Sequence, residues 1–203
     1  LTLFFINFDR ANIVKSEIEQ RSSDFALSVS ETLRISVENL QALSNVLVYF
    51  EDINNVQFKG ITSNYFEADP GLLILEWQPI VTKAERLDFV KKIRKQGLEN
   101  FRLWEPDASG NPISAKERNE HVPVLYMLSR NPNGDDINTL GLDLAWSPER
   151  MKSKLEARDS GRAKSSELFR IVTGKDARYE PMGFAITLPV YESGIVPVEP
   201  EQR

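Results

Sequence analysis

Val122-Pro123-Val124-Leu125-Tyr126-Met127-Leu128 is apolar along its whole length. A run this short reads as a strand, and its lack of alternation means that both faces are covered, one of them by the protein and the other by more protein or by a ligand. The chain on either side supplies the covers. Downstream, a loop over 130–138 leads to a second strand, Leu140-Gly141-Leu142-Asp143-Leu144, and Ser147-Pro148-Glu149 then opens a helix with a hydroxyl N-cap and proline at its first position, running to Gly161. Upstream, Phe101 to Trp104 reads as a short strand ended by the turn-rich stretch Glu105 to Pro112. Before it, Thr82 and Glu85 form a capping box, Leu87, Phe89, Val90 and Ile93 give an apolar face, and Gly97 stops the helix. Leu72-Leu73-Ile74-Leu75 follows the Asp69-Pro70-Gly71 turn as a buried strand. Strands near 168–172 and over 183–191 close the set, and the tail from Gly194, with Pro197 and Pro200, is a linker or an ordered end. Five or six strands without strict strand–helix alternation predict an α+β domain with an antiparallel sheet flanked by helices.

The N-terminal quarter has a different character. From Asp9 to Glu51 there is neither Gly nor Pro, which predicts one long helix. Val29, Leu33, Leu40, Leu43, Leu47 and Phe50, with Ser36 completing the alternation, make a narrow seam of the coiled-coil kind that fades toward Glu19 and Ser22. The stripe packs either on its own domain or on a partner. A helix of roughly 40 residues is about 60 Å long, more than a domain of this size is wide, so an apolar stripe along it calls for a partner.

Composition narrows the function. The 203 residues, 41% hydrophobic and 27% charged with a net charge of −5, are those of a folded globular chain rather than a disordered one. Nucleic acid is a poor partner for an acidic chain, and the basic run Lys91, Lys92, Arg94, Lys95 reads as a solvated helix face. No stretch approaches the roughly 18 apolar residues of a membrane span. The opening Leu1-Thr2-Leu3-Phe4-Phe5-Ile6 reads either as part of the fold or as the trailing edge of a membrane helix, and the lack of a starting Met suggests a fragment.

Catalytic machinery is hard to find. With no cysteine, thiolate chemistry, disulfides and cysteine metal sites are removed together. His121 is the sole histidine and stands directly before the apolar strand, which suits a structural or surface role better than that of a general base. No glycine-rich phosphate loop occurs. Asn131, Asn133 and Asp135 match the first three ligand positions of an EF-hand loop, but Asp136 stands where glycine is needed and Leu142 where glutamate is needed, so the segment reads as a turn. No metal and no cofactor is expected. Asp143 stands out, because a carboxylate inside an apolar strand is costly unless it is paired or hydrogen-bonded. It points to solvent, accepts hydrogen bonds from the following loop, or lines a cavity and holds a donor group of a ligand.

Taken in order, Glu76-Trp77-Gln78-Pro79-Ile80-Val81, Glu85-Arg86, Val122 to Tyr126, Leu140 to Leu144, Arg158-Asp159-Ser160-Gly161 and Phe184 to Tyr191 resemble the CHASE domain, a sensory module found outside the membrane in bacterial and plant receptors. The resemblance covers about Val29 to Ser193. It implies a long N-terminal signalling and dimerisation helix over 1–58, a PAS-like ligand-binding core over 59–194 and a C-terminal linker over 195–203. It further implies a homodimer formed through the helix, a periplasmic or extracellular position between membrane helices, and a histidine kinase or diguanylate cyclase as the output elsewhere in the protein. In the plant cytokinin receptors an aspartate of the motif matching Asp143 hydrogen-bonds the ligand; the intervening loops differ here, so cytokinin itself does not follow. Fuller family members continue into a membrane-proximal PAS-like unit, whereas this chain stops at Arg203. The expected pocket lies beside Asp143 and is lined by Leu125, Met127, Phe169, Ile171, Thr173 and Phe184. The alternative is a dimerisation or protein-binding module with no small-molecule ligand, and a hydrolase is the weakest reading.

Overall fold

The computed structural model of the chain describes residues 2–50, 53–69, 71–130, 139–170, 182–191, 194 and 197. Its longest element, α1 (Thr2–Leu47), is a single helix of 46 residues that begins before Asp9 and ends before Glu51. The chain divides into two units, Leu1–Glu38 and Asn39–Arg203. The first unit is helix alone. Every side chain described from 14 to 32 is exposed. Ion pairs one turn apart (Lys15–Glu19, Arg21–Glu17, and Arg34 with both Glu31 and Glu38) run along its surface. Exposed pairs of this kind contribute little to stability, because solvent screens them.

In the second unit the last turns of α1 contribute Leu43 and Leu47 to the main core, beside Ile53, Phe58 and Phe66. A turn at Val48–Tyr49 then breaks the chain, and Asn54 starts α2 (Asn55–Ala68). The Asn54 side chain accepts the Gln57 N–H at 2.9 Å, and the Gln57 side chain accepts the Asn54 N–H at 3.0 Å. This reciprocal cap satisfies two of the donors that a helix start leaves free. Position 58 lies inside α2, whose start is set by the polar cap at Asn54. Phe58, Thr62 and Phe66 recur every four residues and form the buried face of α2. The last turn of α2 has no basic residue of its own. Arg130 supplies the charge from elsewhere, donating to the carbonyls of Phe66, Asp69 and Leu72 with its guanidinium 5.6 Å over the Phe66 ring.

The sheet starts with β1 (Ile74–Trp77) and β2 (Val81–Thr82), passes through α3 (Arg86–Lys95), and continues with β3 (Trp104–Pro106), β4 (Pro112–Ser114), β5 (Glu120–His121) and β6 (Tyr126–Ser129). The expected capping bonds before α3 form: Glu85 Oε2 accepts from the Thr82 N–H at 3.1 Å and from its hydroxyl at 2.6 Å. β1 pairs antiparallel with β6, Leu75 opposite Leu128, Glu76 opposite Met127 and Trp77 opposite Tyr126. β2 pairs antiparallel with β5, so the same two chain segments run together from Thr82 back to Ile74. The stretch expected as a strand over 140–144 lies between two neighbours. On one edge the Val124 N–H meets the Leu142 carbonyl at 2.9 Å and the Leu144 N–H meets Val122 at 2.9 Å; on the other the Trp104 N–H meets Gly141 at 2.9 Å and the Asp143 N–H meets Trp104 at 2.8 Å. The first contact is antiparallel and the second parallel. β3 and β4 form a hairpin beyond it. A 3₁₀ turn (Leu144–Trp146) leads into α4 (Pro148–Ser160), capped by Ser147 as expected and ended by Gly161 at φ 67°. Two short antiparallel pairs complete the unit: β7 (Lys164–Ser165) with β10 (Ile186–Thr187), and β8 (Phe169–Arg170) with β9 (Met182–Gly183).

The two faces of the β1–β6 ladder differ. Leu75, Trp77, Tyr126 and Leu128 share one face by alternation and belong to the main core, where the Tyr126 and Phe58 rings lie 5.8 Å apart. Glu76 and Met127 share the other face. Met127 joins Val124 and Leu144, with Leu142 against them, in a second and much smaller apolar cluster.

Candidate functional site

Asp143 projects from the stretch over 140–144, an inner ribbon between its two neighbours, and is completely buried. Its Oδ1 accepts the Val122 N–H at 2.8 Å and the Ala145 N–H at 3.1 Å. Its Oδ2 lies 2.7 Å from His121 Nδ1 and 3.3 Å from Arg118 Nη1. Facing a carboxylate oxygen, Nδ1 is the donor of the His121 ring. His121 is itself fully buried, and its Nε2 has no hydrogen-bond partner among the described residues. Arg118 reaches a second buried carboxylate, Glu105, at 2.6 Å. Burial raises the Glu105 carboxyl, but hydrogen bonds from Arg118 and the Lys116 N–H outweigh it and hold the group below its ordinary value. Glu105, Arg118, Asp143 and His121 thus form one buried network tying β3, β5 and the inner ribbon together. Of the four contacts to the Asp143 carboxylate one, the Ala145 N–H, comes from the loop that follows Asp143, and three come from Arg118, His121 and Val122.

A second polar group lies on the Met127 face of the sheet. Lys154, from α4, donates from Nζ to Gln78 Oε1 at 2.6 Å, and the Gln78 amide donates in turn to Glu76 Oε2. The three residues are half-buried. Burial pushes the Glu76 carboxyl above the usual carboxylate range, against the opposing pull of Lys154, the Gln78 amide and Arg150. Burial likewise lowers the Lys154 ammonium; Glu76 opposes this, and Arg150 adds to it. Arg150, one turn before Lys154, has its guanidinium 5.7 Å from the centre of the Phe169 ring. The Phe169 residue is 37% exposed.

The residues expected around a pocket are therefore distributed. Leu125 packs in the main core and Met127 in the second cluster. Phe169 lies by Arg150, Phe184 is 41% exposed, and Ile171 and Thr173 fall outside the described residues. The loop tested as a calcium site, 131–138, also falls outside them. Sequence reasoning missed the charged group altogether. Two signals pointed to it: Glu76 occupies a position of β1 whose partner is apolar, and Arg150 and Lys154 are four apart on one helix. The pairing of His121 with Asp143 had no signal in sequence, since 22 positions separate them. Among the described residues no group of three or more His, Cys, Asp or Glu side chains is arranged to hold a metal ion.

A family model described as the CHASE domain matches residues 51–203. The match begins just after α1 and takes in both the Asp143 network and the charged group on the Met127 face. No curated protein matches the chain.

Proposed function

The chain belongs to the CHASE domain family, a family of sensory rather than catalytic modules that are generally the extracytoplasmic parts of membrane receptors, and on that premise we propose that it binds a small molecule and passes the event to an output domain across the membrane. The family match over 51–203 carries the reading. The two-faced ladder supports it: one face is committed to the main core, while the other carries a small apolar cluster with half-buried charged side chains beside it. A face of that composition suits a ligand with apolar and polar parts better than it suits permanent packing. Met127 and Phe169 line the binding face. Leu125 backs it from the main core. Asp143 acts mainly by fixing the ribbon, and contact with a ligand donor would require it to release Arg118 or His121. The signal is a population shift: the ligand favours one packing of the sensor unit over another only by the difference in its affinity for the two. A histidine kinase or diguanylate cyclase is the output that suits a receptor of this kind.

Thermal denaturation of the purified chain against a library of small molecules tests the proposal. A ligand that binds the native state alone raises Tm, by about 2.7 kcal/mol of stability at a hundredfold excess over Kd. We expect at least one compound to shift the transition, with the shift reduced by Met127→Ala or Phe169→Ala. A library with no active compound favours the other reading, a partner-binding module whose ligand is a protein.

A further inference from the structure

Two cations of α4, Arg150 and Lys154, have no carboxylate at ion-pair distance among the described residues, although an acidic group stands nearby, whereas Lys152 pairs with Glu167 and Arg158 with Glu120 and Asp159. Lys154 Nζ meets the amide oxygen of Gln78, not the Glu76 carboxylate, which the Gln78 amide nitrogen occupies instead. Arg150 has the Phe169 ring as its neighbour and, among the described residues, no carboxylate partner. Outside α4 the cations near the sheet are paired directly: Arg118 with Glu105, and Arg86 and Lys83 with Glu117. Two cations one turn apart, one of them half-buried, with a single carboxylate held off by an intervening amide, leave the group with a net positive charge. A half-buried cation without a direct counter-ion is costly, and an anion that reaches it recovers that cost.

We propose that Arg150 and Lys154 bind the carboxylate of a small organic acid, with the exposed ring of Phe169 taking its apolar part. Arg150 presents a planar fork suited to two parallel hydrogen bonds with a carboxylate, and Lys154 adds a point charge from the next turn. Gln78 then serves as a gate: when the acid arrives, Lys154 exchanges the amide oxygen for a charged one. Glu76 weakens the binding of the acid through its own negative charge. The inference rests on the small-molecule reading above and names the chemical class of ligand for the Met127 face.

The test uses matched probes, namely benzoate, phenylacetate and butyrate against benzamide, phenylacetamide and butyramide, titrated into the purified chain by calorimetry and thermal shift at up to millimolar concentration. The acids should bind and the neutral amides should not. Lys154→Met and Arg150→Gln should each weaken the acid about tenfold to a hundredfold, the loss expected for a charged hydrogen bond. Glu76→Gln should bind the acid more tightly, a change of sign that a merely structural role for these residues does not produce. If the amides bind as well as the acids, or if the acids bind equally well to the Lys154→Met and Arg150→Gln proteins, the carboxylate site is wrong while the sensor reading stands. If neither set nor the wider library binds, both are wrong.

Discussion

Arg118 carries one positive charge between two buried carboxylates, those of Glu105 and Asp143. Glu105 is the member whose titration gives a measurable consequence, because its folded value lies below the ordinary glutamate value of 4.5. The folded protein therefore holds this proton more weakly than the unfolded chain does. Its contribution to stability is fully present above the ordinary value and is lost as pH falls through the folded one. Urea unfolding as a function of pH should show the wild type losing stability on the acid side of 4.5, whereas Glu105→Gln starts less stable at neutral pH and changes less over the same range. Parallel curves for the two proteins would show that Glu105 does not drive the acid dependence. At this scale the sequence was half legible. The cost of a carboxylate in an apolar strand marked Asp143 as needing partners, yet the partners come from Arg118, His121, Val122 and Ala145, and only the fold brings the first three there. The charged group on the other face was only hinted at, because Lys154 reaches Glu76 through Gln78, from which 76 positions separate it.

Among the elements, those with local punctuation were readable and those held by distant pairing were not. Ser147-Pro148 opens α4 and Gly161 closes it, since capping is decided within a turn of the chain. The break between α1 and α2 has no Gly or Pro to announce it, and it is made by Leu47 entering the core and by Asn54 capping the start of α2. The ribbon over 141–144 was visible as apolar, but its two neighbours, 122–124 and Trp104, come from distant parts of the chain. Its weak point is Gly141. The residue has φ 80°, and an added Cβ would stand 2.0 Å from the Arg102 carbonyl oxygen. The same residue donates to Val124 and accepts from Trp104, so it cannot move aside without breaking the ladder on both edges. Gly141→Ala should therefore destabilise the protein by about 3 kcal/mol or more, well beyond the usual effect of a left-handed alanine alone. Chemical denaturation gives the number, and a loss below about 1 kcal/mol would mean that the ribbon is more pliable than its hydrogen bonds indicate.

At the scale of the whole molecule, one apolar stripe has two fates. Val14, Ile18, Phe25, Val29, Leu43 and Leu47 fall within about 60° of arc on α1 at 100° per residue. Leu43 and Leu47 are buried in the core of the second unit, so this end of the expected seam packs on its own domain. Val14, Ile18, Phe25 and Val29 are 53%, 59%, 71% and 41% exposed. A helix of 46 residues is about 69 Å long, and its surface ion pairs are too weak to account for a stable isolated helix, so the exposed end of the stripe calls for cover. A second copy is the economical occupant, because the same stripe on each protomer is self-complementary about a twofold axis. Fully burying a large apolar side chain is worth about 1.5–3 kcal/mol, so four partly exposed residues from each protomer contribute on the scale of the cost of association. Sedimentation equilibrium of the whole chain should give the mass of a dimer at micromolar concentration. Ile18→Asp with Phe25→Asp should reduce it to that of a monomer, with the thermal transition of the second unit unchanged, since neither residue belongs to its core. A wild-type monomer, or a doubly substituted protein that still sediments as a dimer, would remove α1 as the joint between protomers and leave the stripe to a different partner.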